Sequence, residues 1–328
     1  MQIVQTIEAL REALRDVRQP VFVPTMGNLH EGHLRLVREA PRWGDCCVVS
    51  LFVNRLQFLP HEDFDRYPRT LEDDLRALHS VPCAVAFAPT ESDLYPQEQS
   101  FRVRPDPGLA EQLEGSFRPG FFEGVATVVM KLFLAVFAGK AQGSAVFGKK
   151  DYQQWRVVEA MVRQFALPIT IVGIDTVREA DGLAMSSRNR FLDPRERRQA
   201  PALFAALCAV RNALQAHGLV TTPGHARLKP LSAACEGTIP QAEQGALHAA
   251  YQGTILRAEQ GALHAAYQDT ILRVEQEAFQ TLRRAGWDVD YLCVRRRSDL
   301  GAPQPGEARV VLGAARLGQT RLIDNLEF

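Results

Sequence analysis

A chain of 328 residues in which 38 lysines and arginines balance 38 aspartates and glutamates carries no net field to draw it to nucleic acid or an anionic membrane. Its apolar stretches fall far short of the roughly 20 residues that cross a bilayer. Met1–Pro20 mixes acids and bases without an apolar h-region and so does not read as a secretory leader. The six cysteines form no C-x-x-C pair and read as reduced, mostly buried small hydrophobes, consistent with a cytoplasmic protein of two domains.

Up to about residue 175, short β-rich runs alternate with helical patterns. The runs are 21–23, 47–53, 84–88, 145–147 and 169–174, and the helical stretches are about 32–42, 70–79, 124–137 and 151–165. Continuous apolar runs are what buried parallel strands look like, because helices cover both faces of the sheet. The rhythm predicts a Rossmann-like, doubly wound α/β domain over residues 1–178. Its ligands would lie beyond the carboxyl ends of the strands, near the topological switch point. Residues 179–328 read as a smaller α+β domain, with helices at 195–217 and 270–285, strands at 290–295 and 309–314, and a hinge near 175–184.

Within the second domain Ala242–Arg257 and Ala258–Arg273 match at 15 of 16 positions, differing only at Gly253 and Asp269. Sixteen residues leave a helical phase error of roughly 160°, so this is not a coiled-coil or solenoid period. Gly245, Gly253 and Gly261 also weaken a continuous helix. The repeat reads as a tandem duplication tolerated at the surface, with a new interaction surface as the alternative.

Four segments carry chemistry. Val23–His33, VPTMGNLHEGH, leaves a strand and opens a helix. Gly27 permits the turn, Gly32 lets a ligand approach the helix N-terminus, and His30 and His33 share one helical face, where they can donate to phosphate. Ser50–Phe58, SLFVNRLQF, places the amides of Asn54 and Gln57 just past a strand, suited to a small polyhydroxy acid. Phe147–Gln154, FGKKDYQQ, supplies Lys150 for phosphate oxygens, Asp151 for a helix cap or ribose, and Gln154 one turn later. Thr176–Leu192 contains Ser186, Ser187 and Arg188, a cluster able to hold a triphosphate.

Val23–His33 resembles the phosphate-binding signature of the nucleotidyltransferase and class I aminoacyl-tRNA synthetase superfamily. All four segments in this order resemble the pantoate–β-alanine ligase family. Tyr67–Thr70, Arg118–Gly120, Gly124–Val129, Lys131–Phe133 and Gln319–Asn325 also match. The resemblance implies ligation of D-pantoate to β-alanine through a pantoyl adenylate, with MgATP consumed to AMP and pyrophosphate, usually by a homodimer. It implies that Met26, Gly27, Asn28, Leu29, His30, Glu31, Gly32 and His33 contact ATP, with His33, His30 and Lys150 catalytic. Gly148, Lys149, Lys150 and Asp151 would hold the nucleotide, Val177 its adenine, and Met185, Ser186, Ser187 and Arg188 would close over it. Gln57, Asn54 and Gln154 would bind pantoate or β-alanine. No protein ligand for Mg2+ is assigned, Asp73 and Asp74 being weak candidates.

Three residues depart from the family pattern. Arg55 stands for a proline and adds a charge beside Asn54 and Gln57, Phe121 stands for a histidine, and Asn28 for a small alanine. Segment 139–145 departs as well. Two other readings are another nucleotidyl-transferring enzyme, against which the Gln57 and Gln154 pair argues, and an inactive scaffold binding through the repeat, against which the intact histidines, Lys150 and Ser186–Arg188 argue.

Overall fold

A computed structural model describes residues 1–59, 62, 64–218 and 264–328. Six strands form one parallel sheet: β1 (Gln2–Val4), β2 (Pro20–Thr25), β3 (Cys46–Leu51), β4 (Val85–Phe87), β5 (Gly143–Gly148) and β6 (Ile169–Ile174). They lie in the order β1-β4-β3-β2-β5-β6, and every neighbouring pair is parallel. The period of two explains the double layer. Phe22, Val48 and Phe147 face the helices Ile7–Ala13, Phe121–Phe137 and Tyr152–Gln164, whereas Val21, Val23, Val49 and Val146 face the helices Glu31–Glu39 and Leu71–His79. The doubly wound reading therefore holds. β1 and the helix Ile7–Ala13 had no counterpart in it, because three residues at a sheet edge make too short a pattern.

The chain adds β3 and β4 on one side of β2, then crosses to place β5 on the other. The segments leaving β2 and β5 therefore flank a crevice at the carboxyl ends of the strands.

The second unit is an antiparallel meander of β7 (Asp288–Arg296), β8 (Arg309–Leu317) and β9 (Thr320–Glu327). One face packs on Ala202–Ala216 and on the helical residues 264–284 through Leu207, Val210, Ile271, Val274 and Val311. The other face buries Cys293, Val310 and Leu312 against Leu113 and Tyr152 of the first unit. No described helix is long and apolar enough to cross a membrane.

Three expectations are corrected here. The helix read over 195–217 is two, Pro194–Gln199 and Ala202–Ala216, because Pro201 has no N–H to continue the ladder. β9 was legible only as a matching motif, since five of its eight residues are polar. The end of the second repeat copy is not surface. Tyr267 and Ile271, four apart, are buried in the second core together with Val274 just past the copy, and Gln268 Nε2 donates to the Pro303 carbonyl at 2.7 Å. Residues 242–263 of the repeat lie outside the described residues.

A buried ion cluster joins the two units. Arg321 on β9 donates to both oxygens of Glu114 at 2.8 Å, and its Nε donates to Asp290 at 2.6 Å. Tyr291 Oη adds a bond to Glu114 at 2.8 Å. Burial opposes the charge of Glu114, but Arg321 outweighs it and holds the carboxyl below its usual range. Glu114→Ala should destabilise the fold by about 3 kcal/mol in urea unfolding, the lower end for a broken buried pair, because Asp290 still faces Arg321. A loss under about 0.5 kcal/mol, the size of an ordinary surface change, would contradict this.

Candidate active site

The turn out of β2 takes two left-handed residues in succession, Gly27 at φ 80° and Asn28 at φ 50°. Asparagine tolerates that region better than alanine does, so the Asn28 departure suits its backbone. Asp74, on the helix beneath, holds the turn. Its Oδ2 accepts the Asn28 N–H at 2.9 Å and its Oδ1 the Leu29 N–H at 2.7 Å, while Thr70 Oγ1 donates to Oδ2 at 3.2 Å. A Cβ at residue 27 would sit 2.9 Å from Asp74 Oδ2, so glycine is required twice over, by backbone angle and by space. Asp74 is 4% exposed, and Asp73 is exposed and paired with Arg76. Neither candidate for magnesium reaches the cleft.

His30 is the N-cap of Glu31–Glu39, and His33 lies one turn on, with ring centroids 4.0 Å apart. The His30 backbone N–H donates to His33 Nδ1 at 3.3 Å. Neutral His33 therefore carries its proton on Nε2, the donor left for a ligand. Burial, and then the charge of Lys150, lowers His30 to about 4. Burial lowers His33 well below its ordinary value, with His30 and Lys150 adding to the effect. Both shifts favour the neutral rings, which can offer a ligand plain N–H groups.

The segment after β5 brings Lys150 and Asp151 to the cleft, with Nζ 3.9 Å from Asp151 Oδ1. Lys149 turns away, to Asp175 at 2.7 Å and Glu327 at 3.0 Å. Asn325 Nδ2 donates to the carbonyls of Lys149 and Lys150 at 2.8 and 2.9 Å. Arg178 forks onto Asp324 at 2.6 and 2.9 Å. The Met185 N–H donates to the Val177 carbonyl at 3.0 Å, which folds the fourth segment back on itself, and Ser187 Oγ donates to the Asn28 carbonyl at 3.3 Å. The fourth segment is thus tied to the first.

One cleft gathers residues from all four segments: Met26, His30, Gly32 and His33; Asn54 and Gln57; Gly148, Lys150, Asp151 and Gln154; Val177, Met185, Ser186, Ser187 and Arg188. Gly27, Asn28, Leu29, Glu31 and Lys149 do not line it. Glu31 instead pairs with Arg38. Asn54 is 1% exposed, and its amide is already engaged. Its Nδ2 donates to Gln57 Oε1 at 3.1 Å and to the Gly124 carbonyl at 3.2 Å, and its Oδ1 accepts from Tyr95 Oη at 2.9 Å. This turns the Gln57 NH2 toward Met26 and the cleft, with Nε2 3.2 Å from Met26 Sδ. The charge expected from Arg55 beside Gln57 points elsewhere, onto the Phe64 ring at 4.0 Å and toward Glu91 at 3.5 Å.

The sequence reading missed the apolar wall around Gln57, formed by Phe52, Val125, Val128 and Val129, and it missed Tyr67. The signal was present in Tyr67–Thr70 and Gly124–Val129, which matched the family without a role. Apolar helix residues read as core. Among the described residues no three His, Cys, Asp or Glu side chains converge as a metal site.

A family model described as pantoate-beta-alanine ligase matches residues 2–327. The pantothenate synthetases of Paracidovorax citrulli and Leptothrix cholodnii are 51% and 50% identical, with the whole of both chains covered. The solved pantothenate synthetase of Thermus thermophilus has a TM-score of 0.78 at 37% identity, covering 100% of this chain and 99% of that one. A pantoate-β-alanine ligase of Francisella tularensis, solved in complex with β,γ-ATP and β-alanine, has a TM-score of 0.64 at 25% identity and covers 100% and 97%.

Two outcomes follow from the site's electrostatics. The ring protons of His30 should titrate near pH 4 in an NMR titration, and movement near 6.5 would contradict the buried neutral pair. The linked stability is fully present above about 6.5, the unfolded value, and is lost as pH falls toward 4, because the unfolded chain takes up a proton that the folded site refuses. Asp74→Asn sets an NH2 against a backbone N–H and should cost about 1–3 kcal/mol in urea unfolding. An unchanged midpoint would remove Asp74 as the anchor of the turn.

Proposed function

The chain belongs to the pantoate–β-alanine ligase family, whose reaction is the ATP-dependent joining of pantoate to β-alanine, and we propose that it proceeds through a pantoyl adenylate with release of AMP and pyrophosphate. A carboxylate has no leaving group for an amine to displace. Attack of its oxygen on the α-phosphorus of ATP provides one, AMP, and expels pyrophosphate. The amine of β-alanine then attacks the acyl carbon, breaking the C–O bond to AMP and forming the amide.

The first step brings two anions together and adds charge at phosphorus, so the protein must orient the pair and donate to the phosphate. Lys150, Arg188 and the Ser186 hydroxyl supply donors for the triphosphate, while the Ser187 hydroxyl ties this segment to Asn28, and Asp151 suits the ribose. His33 offers a neutral Nε2–H. Deprotonation of the nucleophile is not needed, so His33 acts as a positioned donor, with the His30 ring tilted against it. Gln57, its oxygen committed to Asn54, offers NH2 to the pantoate carboxylate or hydroxyls. Gln154 completes that end, and Phe52, Val125 and Val129 receive the substrate's methyl groups. Val177 and Met185 flank the base.

Magnesium fits as the counter-ion of the triphosphate. Phosphate oxygens and water would supply most of its ligands, and Asp151 or Asp175 on the wall at most one; its chemistry is to neutralise phosphate charge. In this reading residues 1–178 supply most of the substrate-binding groups, and residues 179–328 add Met185–Arg188 to the nucleotide site and shield the labile adenylate from water. The enzyme works as a cytoplasmic homodimer.

The observation that carries the proposal is one cleft that gathers His30, His33, Lys150, Ser186 and Arg188 beside the Gln57 amide, which Asn54 orients. Purified protein should release AMP only when ATP, pantoate, β-alanine and magnesium are all present. His33→Ala should lower kcat about 10²–10³-fold, the cost of one lost transition-state donor, and His33→Gln, which keeps an N–H, should lose less. AMP release independent of pantoate would refute the assignment.

A further inference from the structure

Gln57 is carried by a single 3-10 turn, Arg55–Gln57, rather than by a strand or a long helix. A substrate-binding amide on so short an element must be held from outside. One support is the Asn54 amide. A second is Gly124, which lets the helix Phe121–Phe137 press directly on this backbone. A Cβ there would lie 2.0 Å from the Leu56 carbonyl oxygen and 2.8 Å from the Gln57 nitrogen.

The third support is Arg118. Its Nε and Nη2 reach Glu62 Oε1 and Oε2 at 2.5 and 2.7 Å, and the same Nη2 donates to the Gln57 carbonyl at 3.2 Å. Glu62 Oε2 in turn accepts the Leu59 N–H at 3.0 Å. One guanidinium therefore fixes the backbone at Gln57 directly and at Leu59 through its carboxylate partner. The Phe121 ring lies under the guanidinium plane, 3.7 Å from its carbon, and sets its orientation. Burial pushes Glu62 up, but the bonds from Arg118 and Leu59 outweigh it and keep the carboxylate charged. Arg118 does not line the cleft. It lines a smaller, adjoining cavity at the junction with β9, which shares Lys150, Asp151, Gln154, Ser186 and Arg188 with the cleft.

We propose that Arg118, seated on Phe121 and forked to Glu62, is a positioning residue that sets the Gln57 turn and thereby the affinity for the carboxylate substrate. The proposal rests on the reading of Gln57 as a pantoate ligand. A lysine at 118 keeps the charge but cannot make the fork to Glu62 and the Gln57 carbonyl together.

The test is steady-state kinetics on the full chain, varying one substrate at a time, for Arg118→Lys, Glu62→Gln and the double variant. KM for pantoate should rise about tenfold in each, as for one lost charge-assisted hydrogen bond. KM for ATP should stay within about twofold, and the double variant should be no worse than either single change, because both remove one clamp. An unchanged pantoate KM, or an equal rise for ATP and pantoate, would overturn the proposal. Hydrogen exchange of residues 55–59 gives a readout that needs no turnover. It should quicken about tenfold in Arg118→Lys while the rest of the chain is unchanged, and unaltered exchange would refute the clamp. If wild-type protein does not use pantoate, the Gln57 reading fails, and the exchange experiment then decides the clamp on its own.

Discussion

Everything at the site follows from the point between β2 and β5 where the sheet reverses the direction in which strands are added. The chain leaving β2 must turn sharply into one layer of helices, and the chain leaving β5 must turn into the other. The space between them belongs to neither. His30 and His33 stand on one lip of this crevice and Lys150 on the other, so a phosphate between them meets donors from both sides. The sharp turn after β2 has a cost of its own, two successive left-handed residues, and the buried Asp74 carboxylate offsets it by accepting two backbone N–H groups.

The second unit acts on the first through one strand. Asp324, Asn325 and Glu327 of β9 hold, respectively, the Arg178 guanidinium, the carbonyls of Lys149 and Lys150, and the Lys149 and Tyr152 side chains. Arg321 on the same strand grips Glu114. The segments bearing Lys150 and Ser186–Arg188 are thus anchored by a strand more than 130 residues further along the chain. Position and charge are set separately: Lys149 is consumed by anchoring, and Lys150 is left to face the cleft.

Much of this was legible in the sequence for a physical reason. Strands buried on both faces must be continuously apolar, so the parallel sheet announces itself, and chemistry at strand ends then falls on Val23–His33 and Phe147–Gln154. What was not legible depends on contacts distant in sequence. Asp74 looks like a spare carboxylate until the N–H groups 45 and 46 residues away are placed on it. Lys149 and Lys150 are indistinguishable as neighbours, and only the acids around them separate their roles. Asn54 reads as a ligand because its saturation by Tyr95, Gln57 and Gly124 is tertiary. Phe121, a departure from the family pattern, becomes intelligible only as the ring beneath Arg118.

The central claim is that the cleft aligns a carboxylate with the α-phosphorus of ATP, and an isotope can follow that bond. Pantoate labelled with 18O in its carboxylate, turned over with ATP and β-alanine, should pass one labelled oxygen to AMP and none to pyrophosphate, because the bridging oxygen leaves with AMP when the amine attacks. Label in inorganic phosphate, with ADP as the nucleotide product, would mean attack at the γ-phosphorus and would contradict the account.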